Sequence, residues 1–177
     1  MELQQAIELR RSIRKFKNNY VDDELVEQLL EVARIAPSAK NIQPWRFYVA
    51  RNEKKNKIAQ IMKDYHYNNP VNTIGMLTTA NAIEQAPVLI LVFREESEHS
   101  RERNDILSIG ASIEHMLLKA TDLGLGSLWI CAMYNVRDEI AELIGTNLEL
   151  YSCIAIGYAD ETPSARSRKS IEDIILN

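Results

Sequence analysis

Residues 106–133, ILSIGASIEHMLLKATDLGLGSLWICAM, carry the pattern that decides the fold. Ile106, Ile109, Ile113, Met116, Leu117, Ala120 and Leu123 recur at three- and four-residue spacing and form one helical face. Leu107, Ala111 and Leu118 fall on the other side, and a helix apolar on two faces is buried on two sides. In a domain this small, one side is expected to meet a second subunit and the other the core. Leu123-Gly124-Leu125-Gly126 supplies the left-handed glycine that ends such a helix. Ser127-Leu128-Trp129-Ile130-Cys131-Ala132-Met133 then has the composition of a strand.

Upstream, Pro87-Val88-Leu89-Ile90-Leu91-Val92-Phe93 is a continuous apolar run, the mark of a strand covered on both faces. Residues 94–103 form a charged surface loop. A helix is expected over 74–85, with Asn81 a candidate polar contact, and a more polar one over 53–65, anchored by Ile58, Ile61 and Met62. Between them Tyr65, Tyr67, Asn68, Asn69 and Pro70 follow no period, as in a pocket wall or a solvent loop. Asp22 and Asp23 open an amphipathic helix through Leu25, Val26, Leu29, Leu30 and Ala33 that Pro37 stops. The loop that follows carries Ser38, Asn41 and Gln43, whose side chains both donate and accept hydrogen bonds. It leads into a strand at Trp45-Arg46-Phe47-Tyr48-Val49-Ala50.

Downstream, Asn135 with Asp138 three residues on has the form of a helix start, Leu143 ends that helix and Gly145 closes it. Residues 150–158 make the last strand. The tail, 159–177, is polar and carries Pro163, Arg166, Arg168 and Lys169, then a short apolar turn at 171–176 with Ser170 and Asp173 as its cap. Such an arm either docks on a neighbouring subunit or frays.

At 177 residues with 46% hydrophobic and 26% charged residues, the chain suits a single domain, 1–177, with one sizeable core. Its amino-terminal residues are too polar for a signal peptide and no apolar run is long enough for a membrane helix, so a cytoplasmic protein with no membrane partner is expected. A net charge of −4 argues against a general nucleic-acid partner, which needs a broad basic face. Cys131 and Cys153 lie in apolar runs without redox spacing and are expected to be buried thiols.

Against this acidic average, Arg10-Arg11-Ser12-Ile13-Arg14-Lys15-Phe16-Lys17 inverts the local charge. Arginine forks beside a hydroxyl suit a phosphate carrying about −1.5 to −2 charges. The alternative is that residues 2–9 form a short helix whose dipole these cations complement. The three histidines share no metal-ligand spacing, so no metal is expected. Gly124-Leu125-Gly126 follows a helix and lacks a third glycine, which excludes a dinucleotide fingerprint. Neither a triphosphate-binding loop nor a nucleophile elbow occurs, and the apolar setting of Cys131 argues against a catalytic thiol.

Taken in order, Arg10-Arg11-Ser12-Ile13-Arg14, the loop from Ala36 to Trp45, the helix ending in Leu123-Gly124-Leu125-Gly126, and the tail from Gly157-Tyr158 to Arg166-Ser167-Arg168 resemble the nitroreductase family of FMN-dependent oxidoreductases over nearly the whole chain. The resemblance implies an α+β fold with a central, mostly antiparallel sheet flanked by helices. It also implies a homodimer with FMN at the interface and the tail packed on the partner. Carried onto this sequence, Arg10, Arg11, Ser12 and Arg14 hold the FMN phosphate, ribityl chain and polar ring edge, and Arg166 and Arg168 approach the phosphate. Ser38, Ala39 and Asn41 approach the flavin from the other subunit. Trp129, Ile130, Cys131 and Ala132 present backbone to the ring. The implied reaction is hydride transfer from NAD(P)H to the flavin and on to a nitroaromatic, quinone or similar acceptor, in a ping-pong cycle without a side-chain acid or base. The alternatives are a non-catalytic flavin-binding or flavin-storage protein, or a member with different flavin chemistry, since similar scaffolds serve flavin destruction, dehalogenation and dehydrogenation of peptide-derived heterocycles. This chain departs from larger members in lacking inserted helices, and in placing Cys131 where some relatives carry glutamate.

Overall fold

The computed structural model describes residues 1–73 and 75–176. In chain order the elements are α1 (Leu3–Leu9), α2 (Asp23–Arg34), β1 (Trp45–Ala50), α3 (Asn52–Asn68), α4 (Met76–Gln85), β2 (Val88–Arg94), α5 (Glu102–Asp122), β3 (Gly126–Ile130), α6 (Arg137–Ile144) and β4 (Glu149–Gly157). The strands form one antiparallel sheet in the order β1-β2-β4-β3, with Trp45 opposite Arg94, Val88 opposite Ile156 and Ile130 opposite Cys153. The α+β expectation therefore holds.

Both faces of the sheet are covered, which is why β2 and β4 are apolar at consecutive positions. Leu89, Leu91, Phe93, Cys153 and Ala155 pack under α3, α4 and α6, with Ile58, Met62, Ile83 and Ile140. Val88, Ile90, Val92, Ile154 and Ile156 pack under α2 and α5, with Leu29, Ile113 and Met116. α5 ends as its glycine predicts: Gly124 has φ +73, Leu125 N–H donates to Ala120 O at 2.8 Å and Gly124 N–H to Thr121 O at 3.0 Å. Its second apolar face stays open in this chain, with Leu107 67% exposed.

Four local expectations are corrected. β3 stops at Ile130, so Cys131 to Met133 turn away into a 3-10 turn, Tyr134–Val136, and Cys131 is exposed rather than buried. Asn135 lies in that turn and makes no cap bond to α6. α3 runs on to Asn68, its end tied back by a 2.6 Å bond between His66 Nδ1 and Thr73 Oγ1. Arg94 is no surface-loop residue: its guanidinium is 9% exposed and donates to the buried Asp105 at 2.9 Å. The expected helix start at Ile74 and the tail's last residue, Asn177, lie outside the described residues.

After α1 the chain runs along the free edge of β3. Ile13 N–H donates to Ser127 O at 2.9 Å, Lys17 N–H to Tyr158 O at 2.8 Å, and Asp160 N–H to Lys15 O at 2.9 Å. Two glycines admit this approach. A Cβ on Gly126 would lie 3.0 Å from Ile13 Cγ1, and one on Gly157 would lie 3.0 Å from Phe16 Cδ1. The stitching places Arg10 to Arg14 beside the tail that leaves β4.

Candidate functional site

Arg10, Arg11, Ser12 and Arg14 form one wall of a cleft of about 280 Å³, and Pro163, Ser164, Ala165, Arg166 and Arg168 form the other. Both basic groups singled out in the sequence thus converge on one site. Five guanidinium groups around so small a space repel one another unless an anion sits among them. Among the described residues, the only ion pair they make is a loose one, 3.9 Å from Arg10 Nε to Glu114 Oε1. Arg14 Nη1 reaches only Ser12 O at 3.3 Å, and Arg168 Nη1 only the carbonyls of Arg166 and Ser167.

The helix-dipole alternative holds for one residue. Arg11 Nη1 donates to Glu8 O at 2.6 Å and to Arg10 O at 2.8 Å, closing the end of α1. Arg10 and Arg14 make no such bond to the helix end. Charge-assisted donors whose one carboxylate contact among the described residues is the loose Arg10–Glu114 pair, next to a serine hydroxyl, match the acceptor pattern of a phosphate monoester. The donor set of the cleft therefore fits the phosphate end of FMN.

The loop carrying Ser38, Ala39 and Asn41 is not part of this cleft. It packs on α5, where Ala39 N–H donates to Ser108 Oγ at 3.2 Å, and it is closed internally by Gln43 N–H to Ser38 Oγ at 3.0 Å. Lys40, Asn41 and Gln43 have φ of 54°, 56° and 52°. Three non-glycine residues in the left-handed region cost of order 1–3 kcal/mol each, so the surrounding bonds must hold the loop in shape. Asn41 is exposed, while Ser38 and Ala39 are half-buried.

Trp129 and Ile130 end the edge strand that Ser12 and Ile13 flank, and Cys131 and Ala132 follow it in the turn. The Trp129 indole rests near Gly110 of α5 and donates from Nε1 to Ser152 Oγ at 2.7 Å; Ser152 Oγ in turn donates to Ile130 O at 2.9 Å. Ser152 is 3% exposed, so this chain of bonds fixes both the indole and the strand end. Cys131 Sγ lies 3.9 Å from the same hydroxyl and no histidine is bonded to it. Burial pushes the Cys153 thiol up, far from thiolate chemistry. No group of three or more metal-ligating side chains occurs among the described residues.

Three participants had no sequence signal. Ser108 anchors the loop, Ser152 orients Trp129, and Glu161 accepts from the backbone N–H of Arg14 and Lys15. Each acts across 23 or more positions of chain, where no periodicity reaches. Around α5 a charged network adds to the same face: Arg94 joins Asp105 and Glu149, and Tyr151 Oη donates to Glu102 at 3.0 Å. Burial and that bond together push the Tyr151 hydroxyl up, so it stays a neutral donor. No helix among the described residues is long and apolar enough to cross a membrane.

A family model described as the nitroreductase family matches residues 7–158. The chain is 31% identical to YfhC of Bacillus subtilis, provisionally named an NAD(P)H nitroreductase, over 97% of this chain and 91% of that protein. It is 30% identical to a protein of Thermotoga neapolitana named iodotyrosine deiodinase, over 92% of this chain and 91% of that one. Among solved structures, a provisionally named nitroreductase from Desulfovibrio desulfuricans in complex with FMN aligns with a TM-score of 0.86 at 28% identity, covering 100% of this chain and 96% of that one.

Proposed function

Because the chain belongs to the nitroreductase family, we propose that it passes hydride from NADH or NADPH to a nitroaromatic, quinone or similar small acceptor in a ping-pong order. Its class is that of an NAD(P)H-dependent FMN oxidoreductase. The observation that carries the reading is the cleft of five guanidinium groups that lack carboxylate partners among the described residues, save the loose contact of Arg10.

Arg10, Arg11, Ser12 and Arg14 would hold the phosphate and ribityl end from one side, and Arg166 and Arg168 would close on the phosphate from the other. Bound FMN supplies the two-electron chemistry. Arg10 or Arg14 would stabilise negative charge on the pyrimidine side of the ring. Trp129 to Ala132 would lie along the ring, with a backbone N–H of Cys131 or Ala132 toward its reactive nitrogen. The tie from Trp129 through Ser152 to Ile130 keeps that edge rigid. Ser38, Ala39 and Asn41 would approach a flavin held by a second copy. Two features support a homodimer: this loop is separate from its own chain's cleft, and Leu107 of α5 is exposed. The exposed Ile171, Ile174, Ile175 and Leu176 would then pack the tail on the other subunit.

The test is a visible spectrum of the purified protein followed by anaerobic NADH or NADPH. A yellow protein that bleaches, and regains colour on addition of a nitroaromatic or quinone, is expected. Colourless protein that takes up no FMN would overturn the reading. Arg14→Ala is expected to weaken FMN binding and slow reduction; unchanged values for both would remove Arg14 from the role. A second reading, reductive removal of halide, is favoured by the likeness to the Thermotoga protein. Iodide release from iodotyrosine under the same reductant discriminates it.

A further inference from the structure

The two walls of the cleft come from opposite ends of the chain, and their spacing depends on what joins them. Backbone pairing does so as far as Asp160, whose N–H donates to Lys15 O at 2.9 Å beside the antiparallel bridge of Phe16 and Ala159. At Glu161 the side chain takes over. Its Oε1 accepts from the N–H of Arg14 and, at 3.2 Å, from that of Lys15. Two residues later Pro163 enters the opposite wall, which ends in Arg166 and Arg168.

A carboxylate bonded next to Arg14, at the edge of an arginine-lined cleft, would ordinarily take a guanidinium as a partner. Glu161 makes no ion pair among the described residues; its bonds go to main-chain amides. The arginine forks therefore stay available for a ligand, while the backbone that carries Arg14 is clamped to the base of the tail. We propose that Glu161 is a positioning residue for the phosphate end of FMN, setting the distance between the Arg10–Arg14 wall and the Arg166–Arg168 wall without touching the cofactor. This rests on the reading of the cleft as the phosphate pocket.

The measurement is the ratio of dissociation constants for riboflavin and FMN, by flavin fluorescence titration of the full chain stripped of flavin. Riboflavin lacks only the phosphate, so the ratio isolates that end of the site. Wild-type protein should strongly prefer FMN; no preference would sink the phosphate reading itself. Glu161→Ala should narrow the preference roughly tenfold, the factor that about 1.4 kcal/mol carries, mainly through weaker FMN. Glu161→Gln retains the accepting oxygen and should hold the wild-type ratio to within a factor of about two. A wild-type ratio in Glu161→Ala, or an equal loss in both variants, would overturn the positioning role while leaving the phosphate pocket standing. Should Glu161→Ala fail to fold, Glu161→Asp keeps the charge but shortens the reach by one methylene. It should narrow the preference in the same way, and a wild-type ratio there would overturn the proposal.

Discussion

Replacing Gly126 by alanine tests how tightly the first wall of the cleft is held to the sheet. The new Cβ would lie 3.0 and 3.1 Å from Ile13 Cγ1 and Cγ2 and 3.2 Å from the Ala159 Cβ. Carbon atoms pack at about 3.5–4.0 Å, so each neighbour must give by a few tenths of an ångström. The backbone of Gly126 lies outside the left-handed region, so the penalty is steric alone. Overpacking of this kind costs about 1–3 kcal/mol. Ile13 is the mobile partner, and it sits between Ser12 and Arg14 with its N–H bonded to Ser127 O. Relief of the clash therefore displaces the Arg10–Arg14 wall of the cleft, and Gly126→Ala should lower urea stability and, on the proposed function, FMN affinity. Ile13 is buried, so Ile13→Ala costs stability of its own, but it removes the two clashing carbons, and the losses in the double variant should fall short of the sum of the single losses by a coupling of about 0.5–3 kcal/mol. Strict additivity in that cycle, or Gly126→Ala with wild-type stability and affinity, would refute the reasoning.

Asp105→Ala should destabilise the fold by about 3–5 kcal/mol in urea, because it leaves the 9%-exposed Arg94 with only distant partners, Glu149 at 3.6 Å and Glu96 at 3.7 Å; a loss under about 1 kcal/mol would show that those partners suffice. Lys55 is 4% exposed and its ammonium donates to Ile83 O at 2.9 Å and Glu84 O at 2.7 Å at the end of α4. Lys55→Met should cost about 1–3 kcal/mol by leaving those carbonyls without a donor, measured the same way, and an equal or higher midpoint would contradict it. Asp122 is held down at about 2 by Lys119 and the amino-terminal ammonium, below its ordinary 3.8. A depressed carboxyl stabilises the fold above its unfolded value and loses that contribution as pH falls through the folded one. The stability gap between wild type and Asp122→Asn should accordingly shrink between pH 5 and pH 2, and a gap independent of pH would rule out the linkage.

What the sequence disclosed and what it concealed divide along the range of the interactions involved. α2, β2 and β4 were legible because burial of a continuous face leaves a period, and α5 because a left-handed glycine ends it within four residues of its last apolar contact. The limit of β3 was not, since Cys131, Ala132 and Met133 have the composition of a strand. β3 ends where it does because its pairing with β4 stops at Ile130 and Cys153, a relation between residues 23 apart. The last turn of α3 was hidden for the same reason: His66, Tyr67 and Asn68 lack a period, and a hydroxyl seven residues on holds them. Arginines announced the cleft because charge of one sign in an acidic chain is conspicuous at any range. Their division of labour was not written locally. The Arg11 side chain closes α1, whereas the Arg14 side chain meets no carboxylate among the described residues and its backbone is held by Glu161, which no motif near residue 14 implies. A cleft assembled from both ends of a chain is thus announced by its cluster of like charges, while the contacts that join its walls, those of Glu161 and Gly126, appear only once the two ends meet.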